Sequence, residues 1–337
     1  MKHLDSSPAS TPKTIPVLIH ESQYPENLRK ELLKNLEERR INHKFHYDSV
    51  KQTVKWLALH ELLSPFRRDP DCQRIYDESF SFIARSISSR RLLVTGIGCG
   101  GGQKDTHLLR RLHAEGKCAI YAPVDVSTAM VLVATQSALA ILSPKDCQPV
   151  VLDIGMTDDF ADIISSISDD SPRLLTFFGM IPNFEPQSVL PRLATALRQD
   201  DWLALSANLS PGSDYLAGTR FVLPQYDNPP TREWLTTLLY DLGFDRDDGR
   251  LRFEIENPPE TADLFRIVAY FDLARDRVIR VDASEFHFRR SESIRLFYSF
   301  RYTPERLRPV LESFGLNLID ARISKNQEEG VFVCRRN

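Results

Sequence analysis

The residues best placed to do chemistry in this chain are one loop and two acids. LLVTGIGCGGGQKDTHLL runs from an apolar segment through Gly98, Gly100, Gly101 and Gly102 into a helical pattern that starts near Lys104. A strand-to-helix turn so poor in side chains lets a ligand approach the backbone closely and face the helix N-terminus. Taken alone, it reads first as a tight turn. Asp125 closes the apolar run AIYAPVDV, at a sequence distance from the loop where an acid meets a ribose hydroxyl in a doubly wound sheet. Asp153 closes PVVLDI one unit later, where a carboxylate can accept from an adenine amino group. Either acid alone reads first as a helix N-cap. Three consecutive strand ends in register predict an adenosine-type ligand at the switch point of the sheet.

The sequence contains no G-x-x-x-x-G-K-[ST], so a P-loop is excluded, and its glycines do not form a clean G-x-G-x-x-G followed by an unbroken helix. S-adenosylmethionine has no pyrophosphate and tolerates a looser glycine loop. It fits better than NAD, the runner-up.

The elements that must position these residues follow from the apolar pattern. Between Arg91 and Asn208 the runs RLLVTGI, AIYAPVDV, PVVLDI, LLTFFGMI and DWLALSAN alternate with amphipathic stretches. This is the rhythm of an α/β fold with a parallel sheet covered on both faces. Before it, Pro25 to Ser88 reads as helical, with Val54, Leu57, Leu59, Leu62 and Leu63 near helical spacing in VKWLALHELL. After it, TREWLTTLLYDLGF predicts a helix, and RIVAYFDLA, VIRVDASEFHF and SIRLFYSFRYT predict an antiparallel sheet. The tail predicts a helix ending at Gly315 and two closing strands.

Composition limits the function classes. With 337 residues, 42% of them apolar and 26% charged, the chain can bury the cores of about two domains. Lys+Arg at 43 against Asp+Glu at 46 leaves a net charge of −3, which disfavours general nucleic-acid binding. Five scattered cysteines without a C-x-x-C pair argue for free thiols in a reducing compartment. The eight histidines lack ligand spacing, so no metal is expected. The start MKHLDSSPASTPKTIP has no apolar signal core and no run of 18 apolar residues occurs, so a soluble, cytoplasmic protein without membrane contact is expected. DNPPT at 227–231 is compared with the N-P-P-[YF] loop of nucleic-acid amino-methyltransferases, but it lacks the aromatic residue and comes too late in the chain.

GCGGGQKD at 98–105, YAPVDVS at 121–127, VLDI at 151–154, FFGMIPNFEP at 177–186 and SIRLFYSFRYTPERL at 293–307 together resemble the histidine-specific, S-adenosylmethionine-dependent methyltransferases. That family includes the bacterial enzyme making hercynine for ergothioneine and the fungal dimethylallyltryptophan N-methyltransferases. KFHYDSV at 44–50 is similar to a YD-containing segment of the family, so the likeness runs from about residue 40 to the C-terminus. The resemblance implies a Rossmann-like class I methyltransferase domain with a split accessory α+β substrate domain. In residues, this is a disordered lead-in at 1–14, an accessory part at 15–72 plus 213–301, and a cofactor part at 73–212 plus 302–337. It implies cofactor contacts at Gly98, Gly100 and Lys104, a ribose contact at Asp125, and adenine contacts at Asp153 and Ile154. Asn183 would hold the amino and carboxylate groups of an amino acid, with Tyr47 and Tyr226 in the substrate pocket.

Three departures bear on substrate. Histidine-methylating members carry an acid two residues before a serine in the last accessory strand, and both reach the imidazole. Here Phe297 takes the acid's place and Ser299 is kept, on one face of the strand. An amino-acid-like small molecule other than free histidine is therefore expected, with N-methylation ahead of O- or C-methylation of a natural product. FRRDPDC replaces a tyrosine-rich segment, leaving Arg67 or Arg68 to compensate for a carboxylate-binding tyrosine. Gly96 stands where an acid commonly precedes the loop, which lends weight to a non-catalytic relative.

Overall fold

The computed structural model describes residues 14–167, 170–261 and 263–337; most of the lead-in at 1–14 lies outside them. The strands in chain order are β1 (Leu18–Ile19), β2 (Arg91–Ile97), β3 (Cys118–Asp125), β4 (Val150–Val151), β5 (Arg173–Phe178), β6 (Trp202–Asn208) and β7 (Gly249–Glu256). They continue with β8 (Phe265–Leu273), β9 (Arg277–Val281), β10 (Ser284–Phe288), β11 (Ser293–Arg301), β12 (Leu316–Ile323) and β13 (Glu329–Arg336).

Eight of them form one sheet in the order β1-β4-β3-β2-β5-β6-β13-β12. β1 to β6 run parallel, and the closing hairpin β12–β13 adds antiparallel to β6. Strand order reverses at β2, so a crevice opens between the C-terminal ends of β2 and β5. Apolar residues alternate across β2 because both sheet faces are covered. Leu93 and Ile97 join the core on one side, Leu92 and Val94 the core on the other.

A second sheet, β11-β8-β7, is antiparallel, and β9–β10 form a separate hairpin. VIRVDASEFHF, expected as one strand, is broken at Asp282, where φ is 52°. Strand β7 carries no clean alternation and escaped the sequence reading. Leu36 of helix Pro25–Glu38 and Trp234 and Leu235 of helix Pro229–Asp241 pack into one core with this sheet. The two-residue strand Leu18–Ile19, drawn by the sequence boundaries into the accessory part, instead pairs with β4 at the edge of the large sheet.

The helix Val50–Leu63 inverts the expected pattern. It buries Gln52 and Thr53 and exposes Val54, Leu62 and Leu63. Thr53 donates to the Tyr47 carbonyl at 3.0 Å and pairs with the Ser127 hydroxyl at 3.1 Å, so this helix is seated by polar contacts above the large sheet. Asn228 accepts from the Thr231 N–H at 3.0 Å and caps the helix Pro229–Asp241, which accounts for the asparagine and prolines of DNPPT as a helix start. No described helix is long and apolar enough to cross a membrane. All five cysteines are free, and no described group of three or more His, Cys, Asp or Glu is placed to hold a metal.

Candidate active site

A cavity of about 690 Å³ lies between the C-terminal ends of the parallel strands and a roof built by the second sheet, residues 40–47 and the helix Val50–Leu63. The cofactor-side residues Gly98, Gly100, Lys104, Asp125, Asp153 and Ile154 line it, and so do Asn183, Tyr47, Tyr226, Phe297 and Ser299.

Gly98 and Gly100 adopt φ of 65° and 51°, a conformation that glycine takes without steric penalty. A Cβ on Gly98 would lie 2.5 Å from Met180, and one on Gly100 would lie 2.9 Å from Trp56. The Gly100 N–H donates to Asp125 Oδ2 at 3.0 Å and the Ser127 N–H to Oδ1 at 3.0 Å, tying loop and strand end together. Asp125 is not the helix cap; Ser127 fills that place by accepting from Met130 N–H. Burial pushes the Asp125 carboxyl up to about 6, against the backbone N–H groups that bond it. No cation pairs with it among the described residues, so it is suited to accept from neutral donors such as a diol.

Asp153 is held differently. Its Oδ1 accepts from the Gly155 N–H at 2.8 Å and its Oδ2 from Lys44 Nζ at 3.0 Å. Lys44 also pairs with Glu31. Although burial opposes its charge, the Asp153 and Glu31 carboxylates raise its pKa. This buried pair ties the roof to the end of β4, and the sequence reading passed Lys44 over because a lone lysine in KFHYDSV carries no pattern.

Gly96 also has a structural reason. A Cβ there would collide with the carboxylate of Asp105, whose oxygens accept from Tyr121 at 2.8 Å and Thr176 at 2.7 Å. An acid is therefore present at the base of the loop, delivered from helix Gln103–Ala114 rather than from β2. Lys104 lies 3.4 Å from Glu329 and 4.6 Å above the Tyr76 ring.

At the other end of the cavity, Arg295 N–H donates to the Arg39 carbonyl and Ile41 N–H to the Arg295 carbonyl, pairing residues 39–41 with β11. The register of β11 shifts between Arg295 and Phe297. The Leu296 carbonyl at that irregularity accepts from His46 at 2.7 Å, and the His46 carbonyl accepts from Trp234 at 3.0 Å. Phe297 stacks on His43, with centroids 4.9 Å apart and planes at 19°; Trp234 meets it edge-on at 6.0 Å and Tyr226 lies tilted at 6.1 Å. The Tyr298 N–H donates to His43 Nε2 at 3.1 Å, so the neutral ring carries its proton on Nδ1. Burial first, then His46, Arg295 and Arg266, hold His43 well below the usual range. The rings packed around Phe297 are thus uncharged. The Tyr226 hydroxyl pairs with Ser299 at 3.0 Å and accepts from Arg301 at 3.0 Å and Asn208 at 3.3 Å. Tyr47 packs against Trp56 and Trp234, and burial, with Asp125 second, raises its pKa, so it remains a neutral phenol.

Neither Arg67 nor Arg68 lines this cavity. Both sit in the short helix Pro65–Arg68, where Arg68 caps the preceding helix by donating to the Leu62 carbonyl. The guanidiniums that line it are those of Arg40 and Arg295. His43, Trp56, Trp234 and Arg295 were missed because each joins the site only through contacts distant in sequence.

A reversal of strand order beneath a side-chain-poor loop, with an acid closing the next strand, defines a Rossmann-like nucleotide-binding fold. The chain is similar in fold to the magnesium protoporphyrin IX methyltransferase of Synechocystis PCC 6803, at 10% identity over 88% of this chain and 98% of that chain, with a TM-score of 0.48. It is also similar to the 1,6-didemethyltoxoflavin-N1-methyltransferase of Burkholderia thailandensis, at 12% identity over 100% of this chain and 98% of that chain, TM-score 0.42. A methyltransferase of Streptomyces caelestis follows at 15% identity over 78% and 95%, TM-score 0.39. None of the curated proteins searched matches the chain. The family model described as histidine-specific methyltransferase, SAM-dependent, matches residues 28–336, and the chain belongs to that family. It is an S-adenosylmethionine-dependent enzyme by that membership.

Proposed function

We propose that this chain is an N-methyltransferase whose acceptor is the amino group of an amino acid or amino-acid-derived small molecule other than free histidine. The observation that carries the reading is Phe297, an apolar ring stacked on a neutral imidazole at the cavity wall. An imidazole substrate finds no carboxylate at that position. A flat apolar body finds the rings of Phe297, Trp234 and Tyr226.

S-adenosylmethionine supplies an electrophilic methyl group on its sulfonium. Gly98, Gly100 and Lys104 would hold this cofactor with Asp125 at its ribose and Asp153 and Ile154 at its adenine. The open glycine backbone and the uncharged-donor preference of Asp125 fit such a molecule. Asn183, Tyr47 and Tyr226 would orient the acceptor amine. Displacement needs a neutral lone pair aligned with the S–CH3 bond and shielded from water. Burial disfavours a charged amine, so loss of its proton is favoured without a strong general base. Tyr47, held as a phenol, serves by hydrogen bonding. In this reading, residues 15–72, apart from the strand Leu18–Ile19 in the large sheet, and 213–301 supply the acceptor half and residues 73–212 and 302–337 the cofactor half.

The test is calorimetric titration with S-adenosylhomocysteine, followed by a radiolabelled-methyl screen over amino acids. Label on the nitrogen of an aromatic or apolar amino acid supports the reading. Preferred transfer to free histidine overturns the specificity argument, and label on oxygen or carbon overturns the acceptor atom. Nucleoside binding without any transfer points to a non-catalytic relative.

A further inference from the structure

Arg295 lines the cavity on β11, two residues before Phe297. Its Nε is buried without a partner, and its guanidinium carbon lies 5.1 Å over the Tyr298 ring. Among the described residues its side chain makes no hydrogen bond and no ion pair. Arg40 also lines the cavity without a side-chain hydrogen bond or ion pair among the described residues, but unlike Arg295 it has no buried unpartnered nitrogen; the other cationic neighbours are held. Arg266 is held by Glu185 and Glu256, both at 2.9 Å, and Arg301 by Tyr226 and the Leu209 carbonyl. The cavity's lysines are also committed, Lys44 to Asp153 and Lys104 to Glu329.

A guanidinium stays charged at any working pH and carries five donors in a planar fork. Leaving those donors unbonded in a partly desolvated wall is unfavourable unless an anion arrives. Burial and the Arg266 charge already work against Arg295, and Arg40 adds a further positive charge nearby. Glu185 feels Arg295, yet its ion pair is with Arg266. β11 packs directly on the segment Ile181–Asn183, so the strand bearing this unpaired cation crosses the segment bearing Asn183.

We propose that Arg295 is the anion anchor of the acceptor site, taking a carboxylate of the methyl acceptor while the acceptor's flat apolar part lies against the His43–Phe297 ring pair. The inference rests on the proposed reading of this cavity as a methyl-acceptor site and narrows the substrate class to aromatic amino acids that keep their carboxylate, as against the corresponding amines.

The experiment uses the full chain saturated with S-adenosylhomocysteine and titrated with matched pairs: L-tryptophan and tryptamine, L-tyrosine and tyramine, L-phenylalanine and phenethylamine. A charge-assisted bond to the carboxylate predicts that the acid of a pair binds at least about tenfold more tightly than its amine. Arg295→Gln removes that difference while leaving amine and nucleoside affinities in place, and Arg295→Lys restores part of it. Equal binding of acid and amine, an acid preference that survives in Arg295→Gln, or binding of no acid in the panel overturns the proposal. So does an Arg295→Gln protein that loses affinity for acid, amine and nucleoside alike with a lowered Tm, since that marks a purely structural pairing, for example with the unpartnered Glu185 Oε2. Failure of the unmodified chain to bind S-adenosylhomocysteine appears in the first titration and brings down the cofactor reading itself.

Discussion

His43 and Phe297 come from opposite ends of the chain and stack almost face to face, 19° from parallel, with Trp234 set edge-on to the phenyl ring. The contact joins the roof segment 40–47 to β11 at the cavity wall. Removing the ring in Phe297→Ala takes one ring contact from each of His43, Trp234 and Tyr226, and truncations of this kind cost about 3 kcal/mol. Urea denaturation should show that loss. A change below about 1 kcal/mol would mean that the roof holds together without this stack.

Asn183 closes a short 3-10 turn after β5 and lines the cavity beneath β11. If it orients the acceptor, Asn183→Ala should lower kcat/KM at least about 100-fold, the scale expected when a reacting group is misplaced by an ångström. Affinity for S-adenosylhomocysteine should stay as it was. Unchanged turnover would remove Asn183 from the acceptor site.

Burial pushes the Asp125 carboxyl up to about 6. Hydroxyl groups that donate to a carboxylate favour its ionised form, so binding of the nucleoside must lower this pKa. Affinity for S-adenosylhomocysteine should therefore rise as pH increases through about 6 and level off above it. The rise is about tenfold for each unit by which binding lowers the pKa. Asp125→Asn should flatten the profile. A flat profile in the unmodified chain would count against a ribose at this carboxylate.

Gly96 and Asp105 compete for one volume. Gly96→Ala should destabilise the fold by about 1–3 kcal/mol through overpacking. Combining it with Asp105→Ser should give a total loss smaller than the sum of the two single losses by about 1 kcal/mol, because the second change vacates the space that the first needs. Additive losses would show that the carboxylate moves aside freely.

The sequence alone determined the central parallel strands β2 to β6, the glycine turn and the two acids at strand ends, since each is a local pattern. A parallel strand covered on both faces must be apolar throughout, as LLVTGI is. A turn facing a ligand must lack side chains, as GCGGG does. Phe297 and Ser299 were placed together because strand side chains alternate. What the sequence did not determine was which groups meet across the cavity. The ring against Phe297 is His43 and the cation on Asp153 is Lys44, pairs that only tertiary packing brings together, and the acid beneath the glycine loop is Asp105, turned inward onto Tyr121 and Thr176. Arg67 and Arg68 lie off the cavity for the same reason, and Arg40 and Arg295 line it. A side chain's charge is written in the sequence, but whether that charge is neutralised, solvated or left facing a cavity depends on groups brought beside it by the fold.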